Sequence, residues 1–465
     1  MNMINVRRLT VMTFLGAGML SGISAQVSPL QVDTLKETKI PAQWDLQSCI
    51  DYAKEQNITI RKNRITAAST QIDVKTAKAA MFPSLSFSTS QQVVNRPYQE
   101  TSSRVSGNEI ISSNSKTSYN GNYGLNASWT LYNGNKRLKT IQQEKLNNQV
   151  AELDVATSEN NIQESIAQVY IQILYAAESV RVNENTLQVS IAQRDRGQEL
   201  LNAGSIAKSD LAQLEAQVST DRYQLVTAQA TLEDYKLQLK QLLELDGENE
   251  MNIYLPALSD ENVLAPLPTK KDVYISALSL RPEIEASKLN VEASELGINI
   301  AKSSYFPTIS LSAGIGTNHT SGSDFTFGEQ MKNGWNNSIG LSVSVPIFNN
   351  RQTKSAVQKA KLQYETSMLS LLDEQKALYK TIESLWLDAN SAQQRYAAAN
   401  EKLKSTQISY ELISEQFNLG MKNTVELLTE KNNLLQAQQE QLQAKYMAIL
   451  NTQLLKFYQG DQLAI

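Results

Sequence analysis

Few residues in this 465-residue chain have the chemistry that catalysis needs. Cys49 is the only cysteine and His319 the only histidine, so no disulfide can form within the chain and a histidine–cysteine metal site lacks ligands. Zinc-protease, phosphate-binding and dinucleotide-binding motifs do not occur in it. A hydrolase would need a nucleophile and a base in a recognisable arrangement, which the sequence does not offer. We predict a protein that is not an enzyme and binds no cofactor or metal.

Charged residues instead cluster beside two glycines, Gly204 and Gly420. Asn423 stands three residues before Glu426, which is the spacing of a helix capping box. Lys422 and Glu426 are four residues apart, the spacing of an ion pair on one helix face. Beside the first glycine stand Lys208 and Asp210. From spacing alone, these residues are helix caps and surface pairs.

The glycines are part of an internal duplication. Phe82-Pro83 recurs as Phe306-Pro307 with an offset of 224 residues, and Gly204 recurs as Gly420 with an offset of 216. The segment Leu131-Tyr132-Asn133-Gly134 recurs with the same offset of 216 as Ile347-Phe348-Asn349-Asn350. A unit of this length is much longer than the repeats of ordinary solenoid proteins. It indicates a tube built from two related halves.

Each half contains strand-like segments that alternate apolar residues with Ser, Gly, Asn or Thr, as in Tyr119 to Leu131 and Ile339 to Ile347. A soluble β-sandwich also alternates in this way. The uncharged polar face and segment lengths near the ~9–11 residues of a tilted membrane strand favour a transmembrane β-barrel. We predict that Leu125, Trp129, Leu341 and Val343 face lipid. Four strands cannot close a barrel, so several chains must share one, and the pattern does not choose between two, three or four copies.

Between the strands and the paired glycines lie long segments that lack helix breakers. No Gly or Pro occurs between Asn349 and Gly420, and Gly197 is the only one between Asn135 and Ala203. A single helix of such length would extend about 100 Å. The apolar residues recur every seven positions, which is typical of coiled coils, as in Tyr396, Leu403, Tyr410 and Phe417.

These observations predict domain boundaries along the whole chain. Arg7 and Arg8, an apolar run and Ala25 indicate a signal peptide over residues 1–25. The first repeat is predicted over 26–250, with strands about 84–96 and 119–132, a long helix about 133–203 and a return helix about 209–245. A linker, or equatorial segment, follows over 251–271. The second repeat is predicted over 272–465, with strands about 308–319 and 335–348, a long helix about 349–419 and a return helix about 423–458.

Together, the paired Phe-Pro strand starts, the strand-to-helix joints, Arg281-Pro282-Glu283-Ile284 and the glycine turns resemble the TolC-like outer-membrane efflux family. The resemblance covers essentially the whole mature chain. It implies an α+β membrane protein with two internal repeats. Four strands per chain would contribute to a shared transmembrane β-barrel, continued into the periplasm by a long α-helical coiled-coil barrel. It further implies a homotrimer in outer-membrane lipid, docked to a periplasmic adaptor protein and a proton-driven or ATP-driven inner-membrane pump.

The resemblance also implies an acidic periplasmic gate at the tips, with the adaptor docking near Gly204 and Gly420. Glu426 and Lys422 match the family's gate segment; Asp210 is the counterpart of Glu426 by the offset of 216, and Lys208 lies close by in the first repeat. Thr429 stands where the family has a second acidic residue. The implied function is that of an exit duct for tripartite efflux or type I secretion. The alternative is a periplasmic coiled-coil adaptor or scaffold without a barrel. The net charge of −4 argues against a nucleic-acid partner.

Overall fold

The computed structural model describes residues 41–98, 102–106, 109–113, 116–246, 251–256, 263–321, 323 and 325–463. The predicted signal peptide over residues 1–25 lies outside this part of the chain. Residues 43–465 belong to one structural unit. None of the helices in the described ranges combines the length and the apolar character that a membrane-crossing helix requires.

The unit begins with two helices that the sequence patterns do not predict. Helix α1 spans Leu46–Gln56 and helix α2 spans Ile58–Ala79. Asn57 ends α1 in an extended conformation, and its side chain caps α2 by accepting from Thr59 N at 2.9 Å. One asparagine therefore ends the first helix and caps the second.

Four antiparallel strands then form a sheet that unites the two repeats. Its strands are β1 (Ser84–Asn95), β4 (Thr117–Asn133), β5 (Thr308–Thr320) and β6 (Asn336–Ser344), in the order β1-β4-β5-β6. The short strands β2 (Ser102–Ser106) and β3 (Glu109–Ser113) pair only with each other, in a hairpin between β1 and β4 that sequence analysis missed. Pro83 and Pro307 precede β1 and β5, where they cannot continue the helix before them.

The duplication is preserved in the strand register. Ser84 lies opposite Ser128 in the first repeat, and its counterpart Thr308 lies opposite Ser344 in the second. These pairs are related by the offsets of 224 and 216 residues that the sequence contains. The two hairpins are therefore equivalent in register as well as in sequence.

Two features of the sheet differ from the strict alternation predicted from sequence. A bulge between Thr130 and Tyr132 places Tyr132, instead of Leu131, opposite Ile309. One extra residue in a strand reverses the face of those that follow. The predicted strand ending at about 348 stops at Ser344, because Pro346 has no N–H for a ladder hydrogen bond.

Each repeat continues from its strands into one long helix and a returning helix. Helix α3 spans Lys136–Asn202 and α4 spans Lys208–Leu242. The second repeat begins with α5 (Lys270–Leu280) and α6 (Pro282–Ser303), adds the short α7 (Phe327–Asn333) between β5 and β6, and ends with α8 (Gln352–Asn418) and α9 (Thr424–Gln459). Helices α3 and α8 each contain 67 residues, which corresponds to about 100 Å. This confirms the very long helices that the absence of breakers predicts.

Tight joints connect the strands to the long helices. Gly134 and Asn135 both have positive φ, of 66° and 61°, and so do their counterparts Asn350 and Arg351, of 50° and 65°. At Gly134 a Cβ atom would lie 2.6 Å from the carbonyl oxygen of Ser303, so glycine is required there for space as well as for conformation. The same turn therefore forms twice, with glycine where the other repeat approaches most closely.

The helices that adjoin the sheet lie side by side in the same order as its strands. Helix α2 packs on α3, α3 packs on α6, and α6 packs on α8. The largest buried cluster lies further along α3, where α1, α4 and α9 meet it around Trp44, Tyr170 and Leu239. Cys49 is fully buried in this cluster, and burial raises the pKa of its thiol to about 12.

Candidate functional site

Helices α3 and α8 each end at a predicted tip, in a glycine turn of the same type. Gly204 and Gly420 have φ values of 74° and 75°, which disfavour any side chain, although a Cβ would meet no atom within 4 Å. Ser205 N donates to Leu200 O at 2.8 Å, and Met421 N donates to Gln416 O at 2.8 Å. This is the Schellman pattern that satisfies the last carbonyls of a helix. The two hairpins therefore reverse direction in the same way.

A small apolar cluster joins the two tips. Leu200 and Leu214 from the first hairpin pack with Phe417 and Leu427 from the second, and all four are buried. Gly197 permits this packing, since a Cβ there would lie 2.4 Å from Leu214 Cδ1. The tips thus form one packed unit within a single chain.

Glu426 lies at the start of α9, where it makes both contacts that its spacing predicts. Its backbone N–H donates to Asn423 Oδ1 at 2.9 Å, and Asn423 N donates to Glu426 Oε2 at 3.2 Å. Lys422 Nζ donates to Glu426 Oε1 at 2.6 Å. Lys422 and the Asn423 backbone hold the pKa of the Glu426 carboxyl below its usual range. The Glu426 carboxylate is therefore held in place by these contacts, with a side chain that is 41% exposed.

The counterpart in the first repeat is built more simply. Asp210 lies in the first turn of α4 and accepts from Ala207 N at 3.0 Å. Lys208 begins the same helix and is exposed. The ion pairs of the described residues include Lys422 with Glu426 but neither Lys208 nor Asp210. The structure thus brings one of the two charged sets together as a pair.

At the other end of the long helices, the strand register sorts the side chains of the sheet by chemistry. Leu125 lies opposite Ile315, Trp129 opposite Leu311, and Leu311 opposite Leu341, while Val343 lies opposite Ile309. Directly paired residues share one face. The predicted lipid-facing residues Leu125, Trp129, Leu341 and Val343 therefore share a face, with exposed fractions of 39%, 39%, 64% and 58%.

The opposite face carries small polar residues and glycine. Its rows across the sheet include Ser84–Ser128–Ser312–Gly340 and Ser86–Asn126–Gly314–Ser338. Both outer strands, β1 and β6, have one paired edge and one edge without a partner strand in this sheet. A single chain therefore presents an apolar face, a polar face and two open edges.

Sequence reasoning missed two buried charged clusters. Lys431 meets Asp221 and Ser190, and Arg281 meets Glu164 and Glu283. The partners of Lys431 are more than 200 residues away along the chain, so local spacing contains no signal for them. Arg281 stands in the Arg-Pro motif, which marks the helix start but does not reveal its partner on α3. Among the described residues, no group of His, Cys, Asp and Glu side chains is arranged to hold a metal ion.

Known proteins match this chain in its fold and in both of its repeats. The family model for outer membrane efflux proteins matches residues 49–244 and again 273–460. The chain is 24% identical over 294 residues to the outer membrane efflux protein BepC of Brucella suis, covering 63% of this chain and 61% of that protein. It is 23% identical over 311 residues to the outer membrane protein TolC of Escherichia coli, covering 65% and 62%. The matched regions thus span about three fifths of these relatives.

A solved structure of CusC has the same fold. It superimposes with a TM-score of 0.75 at 19% identity and covers 92% of this chain and 96% of that chain. The duplicated family match confirms the two-repeat architecture, with four sheet strands and long helices, that the sequence predicts. The family match confirms three predictions: the resemblance seen in the motifs, the outer-membrane location and the non-enzymatic class. The chain belongs to the outer membrane efflux protein family.

Proposed function

We propose that this protein is the outer-membrane channel of a tripartite efflux or type I secretion system. Substrates would pass through it passively, delivered by a periplasmic adaptor protein and an inner-membrane pump that supplies the energy. The observation that carries the proposal is a sheet with one apolar face, one face of Ser, Gly and Asn, and two open edges. A periplasmic adaptor or scaffold would have no use for such a sheet.

Closure of the barrel requires several copies. Unpaired strand edges are not tolerated in lipid, and small barrels have about eight strands. One chain supplies four strands to the sheet, so at least two chains must combine. The family resemblance supports three, which would give twelve strands. The helical tunnel would then continue the barrel below the membrane.

The helices that adjoin the two edge strands of the sheet support the same arrangement. Helix α2 precedes the edge strand β1 and exposes Ile58, Ile65 and Ile72, which are spaced by seven residues. Helix α8 follows the other edge strand, β6, and exposes Leu362 and Leu369 with the same spacing. Sevenfold apolar stripes pair in coiled coils. We propose that α2 of one copy covers α8 of the next.

The internal repeat also predicts the register between copies. Within the chain, Ser128 on β4 lies opposite Ser312 on β5. The offsets of 216 and 224 residues convert this pair into Ser344 on β6 and Ser88 on β1 of the neighbouring copy. In this register the polar faces coincide, as do the apolar faces, so the alternation continues around the barrel.

We predict that cysteines at Ser344 and Ser88 will cross-link copies into a covalent trimer. The variant carries Ser344→Cys and Ser88→Cys in a Cys49→Ser background, and oxidation is followed by denaturing electrophoresis. Directly opposite strand residues lie within the roughly 4.4–6.8 Å Cα separation that disulfides need. The matched control combines Ser344→Cys with Ser84→Cys, displaced by four residues, or about 13 Å along the strand. Cross-linking of the control instead would show a different register, and a monomer in native mass spectrometry would refute the shared barrel.

For the tips we propose an electrostatic gate centred on Glu426. Several copies of one carboxylate around a narrow pore concentrate negative potential, because low-dielectric walls focus the field. Asp210 from the first repeat would strengthen the acidic ring, and Lys422 and Lys208 would anchor the closed tip through polar links. Exposed pairs of this kind contribute about 0–1 kcal/mol each, so a docked adaptor could open the gate. Docking near Gly204 and Gly420 belongs to the same proposal.

Single-channel recordings in planar bilayers test both the function and the gate. The parent protein should conduct ions, and Glu426→Ala should lower its cation selectivity because the ring of charge is lost. Lys422→Ala should raise conductance by loosening the closed tip. Glu440→Ala is the matched control, since Glu440 lies on the same helix α9, further from the tip, and also pairs with a lysine, Lys402 on α8. Without parent conductance the channel proposal fails, whereas parent-like behaviour of both variants would reject the gate alone.

A further inference from the structure

Near the start of α9, a lysine is buried against the first hairpin. Lys431 is 3% exposed, and its Nζ donates to Asp221 Oδ2 on α4 and to Ser190 Oγ on α3. Asp221 and Ser190 are each 2% exposed, and Ser190 Oγ also donates to Asp221 Oδ2. The three side chains connect three helices and both repeats. A buried charge is retained only when it is paired in this way.

The surroundings satisfy the carboxylate as well as the ammonium. Gln217 Nε2 donates to the second oxygen of Asp221 at 2.9 Å, and lies 3.4 Å from Asn432 Oδ1 on α9. Burial lowers the pKa of Lys431, and the Asp221 carboxylate opposes this shift by stabilising the ammonium. Each charge in the cluster is therefore stabilised by its contacts with the other members.

Other ion pairs near the tips are exposed. The side chains of Lys422 and Glu426 are 33% and 41% exposed, and those of Lys402 and Glu440 are 43% and 42% exposed. Exposed pairs stabilise weakly, whereas removal of one partner from a buried pair is strongly destabilising. Among the ion pairs of the described residues, the one between Lys431 and Asp221 is the most buried.

Lys431 is also close to the proposed gate. It follows Glu426 by five residues on α9, or about 7.5 Å along the helix axis. Between them, Leu427 packs into the tip cluster against Leu214 of the first hairpin. Movement of Glu426 relative to the first hairpin must therefore bend the first turns of α9 or separate Lys431 from Asp221.

We infer that Lys431, Asp221 and Ser190 form an internal clamp that fixes α9 on the first hairpin and so positions Glu426 in the closed tip. This inference rests on the proposed channel function. Lys431 and Asp221 are positioning residues in it, since neither needs to touch a substrate. Opening of the tip then requires the buried pair to separate and become hydrated. A change that leaves one charge unpaired favours the open state, because that state allows the remaining charge to reach water.

The experiment compares Lys431→Met, Asp221→Leu and the double variant in planar bilayers. Each single replacement should raise the open-channel fraction by about tenfold, because one buried charge loses its partner. It should also lower cation selectivity, because Glu426 is no longer held in place. The double variant leaves no unpaired charge and should return towards the parent in both measurements. Lys402→Met removes one partner of an exposed pair that joins α8 to α9, and should behave like the parent.

Thermal unfolding of the same samples separates clamping from stability alone. If the single variants unfold at lower temperature but keep parental conductance and selectivity, the cluster is structural only and the inference is wrong. Equal effects in the single and double variants would also overturn it, because packing instead of charge would then be responsible. If a single variant does not fold, the double variant decides: it must close like the parent. A parent that does not conduct refutes the channel proposal instead.

Discussion

Replacing Arg281 with leucine is expected to lower the free energy of unfolding by about 3–5 kcal/mol, because it removes one partner from a buried charged cluster. Arg281 is 5% exposed and joins three helices. Its Nη2 donates to Glu164 Oε1 on α3 at 2.5 Å, and its Nε lies 3.1 Å from Glu283 Oε1 on α6. Its guanidinium lies 3.8 Å from the ring centre of Tyr458 on α9. Without Arg281, Glu164 would remain largely buried and without its cationic partner.

The defect should depend on pH with a definite sign. Burial raises the pKa of Glu164 above its ordinary value of 4.5, and Arg281 opposes this rise. Loss of Arg281 raises the folded-state pKa further, so the folded variant binds a proton more readily than the unfolded chain. Its stability therefore increases as pH falls through the raised pKa. The loss relative to the parent is largest near neutral pH and shrinks as pH approaches 4.5.

Denaturant unfolding in detergent, followed at several pH values, measures this effect. Arg64→Leu is the matched control. Arg64 also pairs with a glutamate of α3, Glu159, but its own side chain is 45% exposed. The control should lose no more than about 1 kcal/mol. A similar small loss for both variants would mean that the buried cluster contributes no net stability. A loss for Arg281→Leu that grows at acidic pH would contradict the role given to Glu164.

A lysine at Leu341 is expected to cost about 2–4 kcal/mol of folding free energy if this position lies near the bilayer midplane. Leu341 is 64% exposed in the single chain and shares the apolar face with Leu311. On a lipid-facing surface, an ammonium group must leave water or deform the bilayer, and both are unfavourable. The next residue, Ser342, points to the opposite face because side chains alternate along a strand.

The comparison of Leu341→Lys with Ser342→Lys makes this a test of the face. Refolding into lipid vesicles across a urea gradient gives the free energy for each variant. We expect Ser342→Lys to fold nearly like the parent, with an altered ion selectivity, since it would add charge to the lumen. Equal costs at the two positions, or a greater cost at Ser342, would show that the assignment of lipid and lumen faces is wrong.

Much of the fold follows from patterns within short stretches of sequence. Alternation within Tyr119–Leu131 and Ile339–Ile347 predicts strands with two unlike faces, since the period of a strand is two residues. The lack of Gly and Pro predicts the long helices, and Gly204 and Gly420 predict where they end. Because each pattern appears twice, the duplication strengthens every one of these predictions.

Local pattern is less informative where neighbouring strands decide the geometry. The bulge between Thr130 and Tyr132 depends on how β4 lies against β5, so alternation alone misplaces Leu131. The hairpin of β2 and β3 and the helices α1, α2, α5 and α6 were also missed, because each is much shorter than the stretches without Gly or Pro that marked the long helices.

For this protein, the sequence by itself determined the four strands of the sheet, the long helices, their duplication and the charged residues at the tips, because those features depend on residues close together along the chain. Only the tertiary structure decided which charges are buried and with whom they pair. Lys431 finds Asp221 across 210 residues, and Arg281 finds Glu164 across 117. The energy of such a pair depends on distance and desolvation in the folded state, and neither quantity is encoded in local spacing.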